Sequence, residues 1–74
     1  MKRIVDKQVI REFSGKIIGW IETDDEGNRI VREFSGKILG KYDKKFNVTR
    51  DFFGRIISKG DQSSLLIGLN KHNW

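Results

Sequence analysis

The sequence contains neither cysteine nor proline in its 74 residues. Without cysteine, the chain has no disulfide and no thiolate metal ligand to reinforce a small core. A single domain of this length buries only roughly 60% of the surface that its unfolded chain exposes. Because small domains without such cross-links often gain buried surface by oligomerising, the composition predicts a homo-oligomer.

Long apolar runs are absent as well, since the longest, Leu65–Ile67, has three residues. A membrane-spanning helix needs about 20 apolar residues, and the hydrophobic region of a signal peptide is also missing. The lack of cysteine is typical of reducing compartments. These absences predict a cytoplasmic protein with no membrane partner.

Residues that carry chemistry are scarce too. The one histidine, His72, has Asn70 and Asn73 as near neighbours in the sequence, and amides are poor metal ligands. The acidic run at 24–26 lacks the ligand pattern of a calcium loop, which favours a solvated turn. The sequence has no glycine-rich phosphate-binding loop and no nucleophile motif. It therefore predicts no cofactor, no metal ion and no enzymatic activity.

A repeat is the main feature that the sequence does contain. Residues 10–19 read IREFSGKIIG, residues 31–40 read VREFSGKILG, and residues 49–58 read TRDFFGRIIS. The first two strings are identical at eight of ten positions. Self-similarity of this kind indicates one supersecondary unit used several times, so the string is interpreted as architecture and not as an active-site motif.

Each repeat predicts a β-hairpin with a three-residue loop. Such a loop commonly ends in a glycine of positive φ, and the turn glycines are Gly15, Gly36 and Gly54. This register places opposite charges across the strands, in the pairs Glu12 with Lys16, Glu33 with Lys37, and Asp51 with Arg55. Further from the first loop, it pairs Arg11 with Ile17, Ile10 with Ile18, and Val9 with Gly19. A two-residue Ser-Gly loop is the alternative and would place phenylalanine opposite lysine.

The predicted fold is all-β and mainly antiparallel, a meander of repeated hairpins with pseudo-symmetry in a single domain, residues 1–74. The hairpin repeats span 9–20, 30–41 and 48–59, after an opening strand near residues 3–9. The connectors at 23–28 and 43–47 are rich in turn-forming residues. Residues 60–74 form an atypical capping tail, which either begins a short helix at Asp61 or Ser63 or adds a final strand.

The third repeat carries a resemblance to a known family. Its string Asp51-Phe52-Phe53-Gly54-Arg55-Ile56-Ile57, with Tyr42-Asp43 upstream, resembles the repeat of the four-fold β-flower domain. That is a family of small bacterial and phage-type proteins of unknown function. The resemblance covers roughly residues 9–70 and implies hairpins arranged around a pseudo-symmetric centre, without any catalytic or binding residue. The repeats are more loosely similar to YD-type and MORN-type hairpins, which also use an aromatic residue before a turn glycine.

A recurrent set of cations is the first candidate for function. The net charge of +5 makes polyanions candidate partners. Near-symmetric repeats would array these cations, and such an array binds phosphate groups or an anionic ligand. The candidate contacts are Arg11, Arg32, Arg50, Lys16, Lys37 and Arg55. Because the hairpin acids neutralise the last three, the arginine trio is the sharper candidate.

A recurrent set of large apolar side chains is the second candidate. Aromatic residues at such positions are typical of core or interface anchors, although aromatics on a basic sheet also stack on nucleic-acid bases. The candidate interface or core residues are Phe13, Trp20, Phe34, Tyr42, Phe52, Phe53, Ile17, Ile38 and Ile56. Two faces to cover and little chain to cover them favour packing between hairpins or between chains.

These patterns predict a small non-enzymatic β-repeat protein that acts as a homo-oligomeric protein-interaction or structural module. The alternative is a basic protein that binds nucleic acid or an anionic ligand such as a nucleotide or phosphate. Salt-dependent binding to oligonucleotides distinguishes the two hypotheses.

Overall fold

The computed structural model describes residues 3–63 together with Leu66 and Ile67. Within them the chain forms six strands, which are β1 Ile4–Arg11, β2 Ile17–Asp24, β3 Arg29–Glu33, β4 Ile38–Asp43, β5 Val48–Asp51 and β6 Ile56–Lys59. Each strand pairs antiparallel with the next, which gives one sheet of order β1-β2-β3-β4-β5-β6. The predicted all-β meander of hairpins is confirmed. The predicted opening strand and the first strand of repeat one are a single strand, β1.

The three hairpin loops have the predicted length. In the first loop, the Gly15 N–H donates to the Glu12 carbonyl at 2.8 Å, and the Glu12 N–H donates to the Lys16 carbonyl at 2.9 Å. The same two bonds recur in the other two hairpins. The turn glycines have φ of 93°, 95° and 87°, in the region that favours glycine. The three-residue loop is confirmed, and the two-residue alternative is excluded.

The predicted register is right for Arg11 and its equivalents and wrong from the following pair onward. Arg11 pairs with Ile17 as predicted, but Ile10 pairs with Gly19 and not with Ile18. Equivalent shifts occur in the other two hairpins, so each hairpin has a β-bulge with one extra residue, and these residues are Ile18, Leu39 and Ile57. Strict alternation from Ile18 would direct Ile21 to the opposite face. The bulge brings both side chains to the same face, where they contribute to one core.

The core lies on one face of the sheet, which we call the covered face. Ile21 and Val31 are 2% and 0% exposed there, and Leu66 and Ile67 of the tail pack against them. Ile10 and the three bulge residues surround this cluster. Leu66 and Ile67 of the tail therefore complete the core of the described residues.

Two glycines allow close approach on the covered face, both of the neighbouring strand and of the tail. A Cβ on Gly19 would overlap the Arg32 carbonyl oxygen and lie 3.2 Å from Ile67 Cδ1, and a Cβ on Gly40 would overlap the Arg50 carbonyl oxygen and lie 2.8 Å from Leu66 Cδ1. These glycines end the first two repeats, where a side chain would displace the tail. The role is close approach, since neither glycine has a positive φ.

Polar bonds hold the start of the tail against the sheet. The Thr49 hydroxyl donates to the Gly60 carbonyl at 2.8 Å and accepts from the Gln62 N–H at 2.9 Å. Arg29 Nη1 donates to Asp61 Oδ2 at 2.6 Å. Thr49 is fully buried. These two hydrogen bonds therefore give its hydroxyl the partners that a buried polar group needs.

The tail itself has helical backbone at Ser63, Leu66 and Ile67. Asp61 Oδ1 accepts from the Ser63 N–H at 3.2 Å, the bond made by a residue that caps a helix. The remaining residues for which a helix or strand was predicted, among them Leu65 and Leu69, lie outside the described residues, and so does His72.

Candidate interaction surfaces

The three hairpin loops lie at the same end of the sheet, because consecutive turns of a meander alternate between its two ends. Four exposed phenylalanines occupy these loops, and we call them the tip rim. They are Phe13, Phe34, Phe52 and Phe53, with exposed fractions of 110%, 67%, 61% and 78%. Phe52 and Phe53 contact each other edge to face, with ring centroids 5.4 Å apart.

The other predicted anchors also lie outside the core cluster. Ile17, Ile38 and Ile56 remain 41%, 37% and 56% exposed on the face opposite the tail. Trp20 is half-buried on that face, and Tyr42 is half-buried on the covered face, where its hydroxyl donates to Asn47 Oδ1 at 2.7 Å. None of these side chains belongs to the buried cluster of the described residues, and their role at an interface stays a prediction.

The two most buried apolar residues of the sheet, Ile21 and Val31, are not among the predicted anchors. Ile21 comes two residues after the first repeat and lies on the covered face because of the bulge at Ile18, and Val31 begins the second repeat and lies opposite Ile21. The available signal was the glycine that ends repeats one and two, which repeat three replaces with Ser58. A small residue next to a paired aliphatic run indicates close approach of another segment.

The arginine that opens each repeat has the same structural role three times. Its Nη1 donates to the carbonyl of the turn glycine in its own hairpin, at 2.9 Å for Arg11, 2.8 Å for Arg32 and 3.0 Å for Arg50. The guanidinium thus joins the first strand of the hairpin to its loop through a hydrogen bond that is not part of the backbone ladder. This accounts for the arginine at the second position of every repeat without reference to a ligand.

The arginine trio does not converge on one point. Its members lie on β1, β3 and β5. Alternate strands of a sheet are about 10 Å apart, and each guanidinium is bonded to the loop of its own hairpin. The structure places the three arginines on one face of the sheet, each in a different row of cross-strand neighbours.

The other three predicted cations lie on the covered face beside the hairpin acids. In repeat three, Arg55 Nε lies 2.9 Å from Asp51 Oδ2, and Asp51 Oδ1 accepts the N–H groups of Phe53 and Arg55. Desolvation raises the pKa of Asp51, but these hydrogen bonds and the Arg55 charge outweigh it and hold the pKa below its usual value. In repeats one and two, the serine of the loop donates to the glutamate, Ser14 to Glu12 at 2.8 Å and Ser35 to Glu33 at 2.5 Å.

The face opposite the tail, which we call the open face, is defined by the strand registers. Its three rows nearest the hairpin loops contain Arg11 and Ile17; Val9, Trp20, Arg32 and Ile38; and Lys7, Glu22, Ile30, Lys41, Arg50 and Ile56. The next row adds Asp24, Asp43, Val48 and Lys59, so the face has six basic and three acidic side chains, of which five basic ones and one acidic one lie in the three rows near the loops. Apolar side chains, including one indole, lie between the basic ones.

The carboxylate of Glu22, the one nearest the hairpin loops on the open face, accepts hydrogen bonds at both of its oxygens. Arg32 Nε donates to Glu22 Oε1 at 3.0 Å, and Trp20 Nε1 donates to Glu22 Oε2 at 3.2 Å. Lys7 Nζ lies 4.7 Å from the centroid of the Trp20 ring, within cation–π range. Desolvation raises the pKa of Glu22, but the bonds from Arg32 and Trp20 and the charges of Arg32 and Lys7 hold it below its usual value.

Three cations of the open face lack an acidic partner. Among the described residues, no carboxylate lies within salt-bridge distance of Arg11, Lys41 or Arg50. Their charges therefore contribute a positive field that internal pairing does not cancel.

At the end of the sheet away from the tip rim, a cleft of about 610 Å³ lies between the β2–β3 and β4–β5 turns. Asn28 Oδ1 accepts from the Lys44 N–H at 3.0 Å and ties the two turns together. Asp24 Oδ1 accepts the N–H groups of Glu26 and Asn28, so this part of the acidic run has a turn-forming role. Acidic and basic residues line the cleft in similar numbers, which gives it no preference for ligand charge.

Within residues 3–63, 66 and 67, no group of three histidine, cysteine, aspartate or glutamate side chains is close enough to hold a metal ion. The same residues include no helix of the length and apolar character needed to cross a membrane. Comparisons with protein families, with curated proteins and with solved structures found no match to this chain. The resemblance to the four-fold β-flower domain therefore stays a prediction.

Proposed function

We propose that this protein is a non-enzymatic β-repeat module that self-associates through the tip rim. One observation carries the proposal: all five phenylalanines of the chain are at least 61% exposed in the monomer. Phenylalanine is among the residues most often buried in a folded protein. Four of the five occupy one end of the sheet. Exposed aromatic rings concentrated at one end of a sheet are typical of an interaction site.

The area of the tip rim is sufficient for a dimer. A phenylalanine side chain buries about 200 Å² when fully covered. With the observed exposures, the four rings together offer roughly 600 Å² on each protomer. Two copies that cover each other's rims would bury about 1,200 Å², the lower limit of specific interfaces.

The open face is a poorer surface for self-association. A symmetric face-to-face dimer would bring its excess of basic side chains against the same side chains of the partner. Like charges brought together without counter-charges oppose association. The tip rim has no such conflict. The cations that follow its loops, Lys16, Lys37 and Arg55, each lie opposite a hairpin acid.

A matched pair of substitutions tests the tip rim. Phe34→Ser and Phe46→Ser remove rings that are 67% and 61% exposed, at opposite ends of the sheet. We expect Phe34→Ser to weaken the self-association constant at least tenfold, because aromatic anchors carry most interface energy. Phe46→Ser should leave it within about twofold of the parent. Sedimentation equilibrium measures both constants, and equal effects of the two variants would refute a tip-rim interface.

The cytoplasmic location and the membership of the β-flower family stay predictions from the sequence. Both are compatible with a module whose repeats serve folding and whose exposed loops serve contact.

A further inference from the structure

The positive charge of this protein is concentrated on the open face. The chain has a net charge of +5, and the part of the open face near the hairpin loops contains five basic residues and one acidic residue. On the covered face, by contrast, Lys16, Lys37 and Arg55 each lie opposite a hairpin acid. A polyanion that approaches the protein is therefore attracted to one face of the sheet.

The same face offers apolar contact between its charges. Trp20 lies in the row that runs from Val9 to Ile38, and Ile30 lies between Glu22 and Lys41 in the next row. Ile17 and Ile56 are 41% and 56% exposed at its margins. Neighbouring rows are about 7 Å apart along the strands. A ligand that spans two rows thus meets cations and apolar groups in alternation.

We propose that the open face binds single-stranded nucleic acid. Phosphate groups would contact the cations that have no acidic partner, Arg11, Lys41 and Arg50, and the bases would pack on Trp20 and the neighbouring isoleucines. Single strands suit this surface because their bases have exposed flat faces that pack on apolar and aromatic side chains. A duplex keeps its bases stacked inside and offers the face only phosphates. An acidic peptide offers charge without flat apolar groups.

The dimensions of the sheet fit a short single strand. Six strands span about 24 Å at the usual spacing between strands. Small β-folds that bind single strands contact about 4–16 nucleotides. The tip rim and the open face are different surfaces, so binding of a strand and self-association are independent of each other.

Fluorescence anisotropy with labelled oligothymidine of about 16 nucleotides tests the proposal. We expect binding at low salt, with an affinity that falls as salt rises because counterions are released from the phosphates. The unlabelled competitors are a duplex of the same length and a polyglutamate of similar charge. We expect both to compete at least tenfold less well than unlabelled oligothymidine.

Two charge reversals localise the binding. Lys41→Glu changes an exposed residue of the open face, and Lys45→Glu changes an exposed residue of the β4–β5 turn. Both alter the net charge equally, so a non-specific attraction would respond equally to each. We expect Lys41→Glu to weaken binding about tenfold and Lys45→Glu to weaken it no more than about twofold. Trp20→Leu should also weaken binding about tenfold, since a stacking contact is lost.

Three results would overturn the proposal: no binding of oligothymidine at low salt, equal weakening by the two charge reversals, or stronger competition by duplex or polyglutamate. Light scattering of the same samples distinguishes a failure of nucleic-acid binding from a failure of self-association. A monomer that binds oligothymidine would refute the tip-rim interface and support the open face, and an oligomer that fails to bind it would do the reverse.

Discussion

At the scale of the residue, the arginine that opens each repeat illustrates how a repeated side chain serves folding. Arg11, Arg32 and Arg50 each reach across their own hairpin to the carbonyl of the turn glycine. That carbonyl belongs to the glycine of positive φ and has no ladder partner in a three-residue loop. The arginine supplies a charged donor at the point where the hairpin leaves the ladder.

Replacing one of these arginines measures the contribution of the bond. Arg50→Met keeps most of the apolar stem and removes the donor to the Gly54 carbonyl. We expect a loss of about 1 kcal/mol in the free energy of unfolding, the usual worth of such a bond. Lys41→Met on the neighbouring strand is the control and should change it by less than about 0.5 kcal/mol. Urea denaturation measures both, and equal values would show that the arginine bond contributes nothing.

At the scale of the element, each hairpin combines a tight loop with a bulge. The loop makes the turn, and the bulge directs Ile18, Leu39 or Ile57 to the covered face. The glycine that follows the bulge in the first two hairpins then lies directly beneath the tail. The third hairpin has Ser58 instead, and its inner strand carries Thr49, which bonds to the tail through its hydroxyl.

Alanine at Gly40 should therefore be more harmful than alanine at a turn glycine. The new Cβ at Gly40 would lie 2.8 Å from Leu66 Cδ1 and would overlap the Arg50 carbonyl oxygen. We expect a loss of about 3 kcal/mol in the free energy of unfolding, at the upper end of overpacking costs. A Cβ at Gly36 meets nothing within 4 Å, so Gly36→Ala should cost only the strain of positive φ, about 1 kcal/mol. Thermal and urea unfolding compare the two, and the opposite order would mean that neither the neighbouring strand nor the tail packs closely on Gly40.

The sequence predicts those features that depend on neighbouring residues. Glycine, loop length and opposite charges determine the hairpin locally, so the loops and the pairing of Arg11 with Ile17 are as expected. The bulges are not predictable in this way, because the ladder can leave a residue of the return strand unpaired without any change in the loop. The surface location of the phenylalanines is also beyond local patterns, since an aromatic residue in a loop is equally compatible with a core anchor.

At the scale of the whole molecule, three carboxyl groups link stability to pH. The pKa values of Glu22 and Asp61 are held low, since bonds from Arg32 and Trp20, and from Ser63 and Arg29, outweigh a desolvation that raises them. The pKa of Asp51 is also held below its usual value, by Arg55 and by the N–H groups of the loop, which outweigh desolvation. A carboxyl with a lower pKa in the folded state contributes stability above its unfolded pKa, and that contribution is lost as pH falls through the folded value.

We therefore expect the melting temperature to be nearly constant from neutral pH down to about 5 and to fall below about pH 4, near the unfolded pKa of carboxyl groups. Asp61→Asn should have a lower melting temperature at neutral pH and a smaller drop on acidification, because its bond to Arg29 no longer depends on a charge. Thermal melts followed by circular dichroism across this range provide the measurement. A melting temperature that is constant down to pH 2 would be incompatible with these carboxylates.

The molecule as a whole presents an end of exposed aromatic rings that the monomer leaves in water. The molar mass of the unaltered chain, measured by light scattering coupled to gel filtration from low to high micromolar concentration, tests self-association most directly. We predict a mass that rises with concentration towards a whole-number multiple of 8.6 kDa. A mass of 8.6 kDa at every concentration would contradict the proposed function.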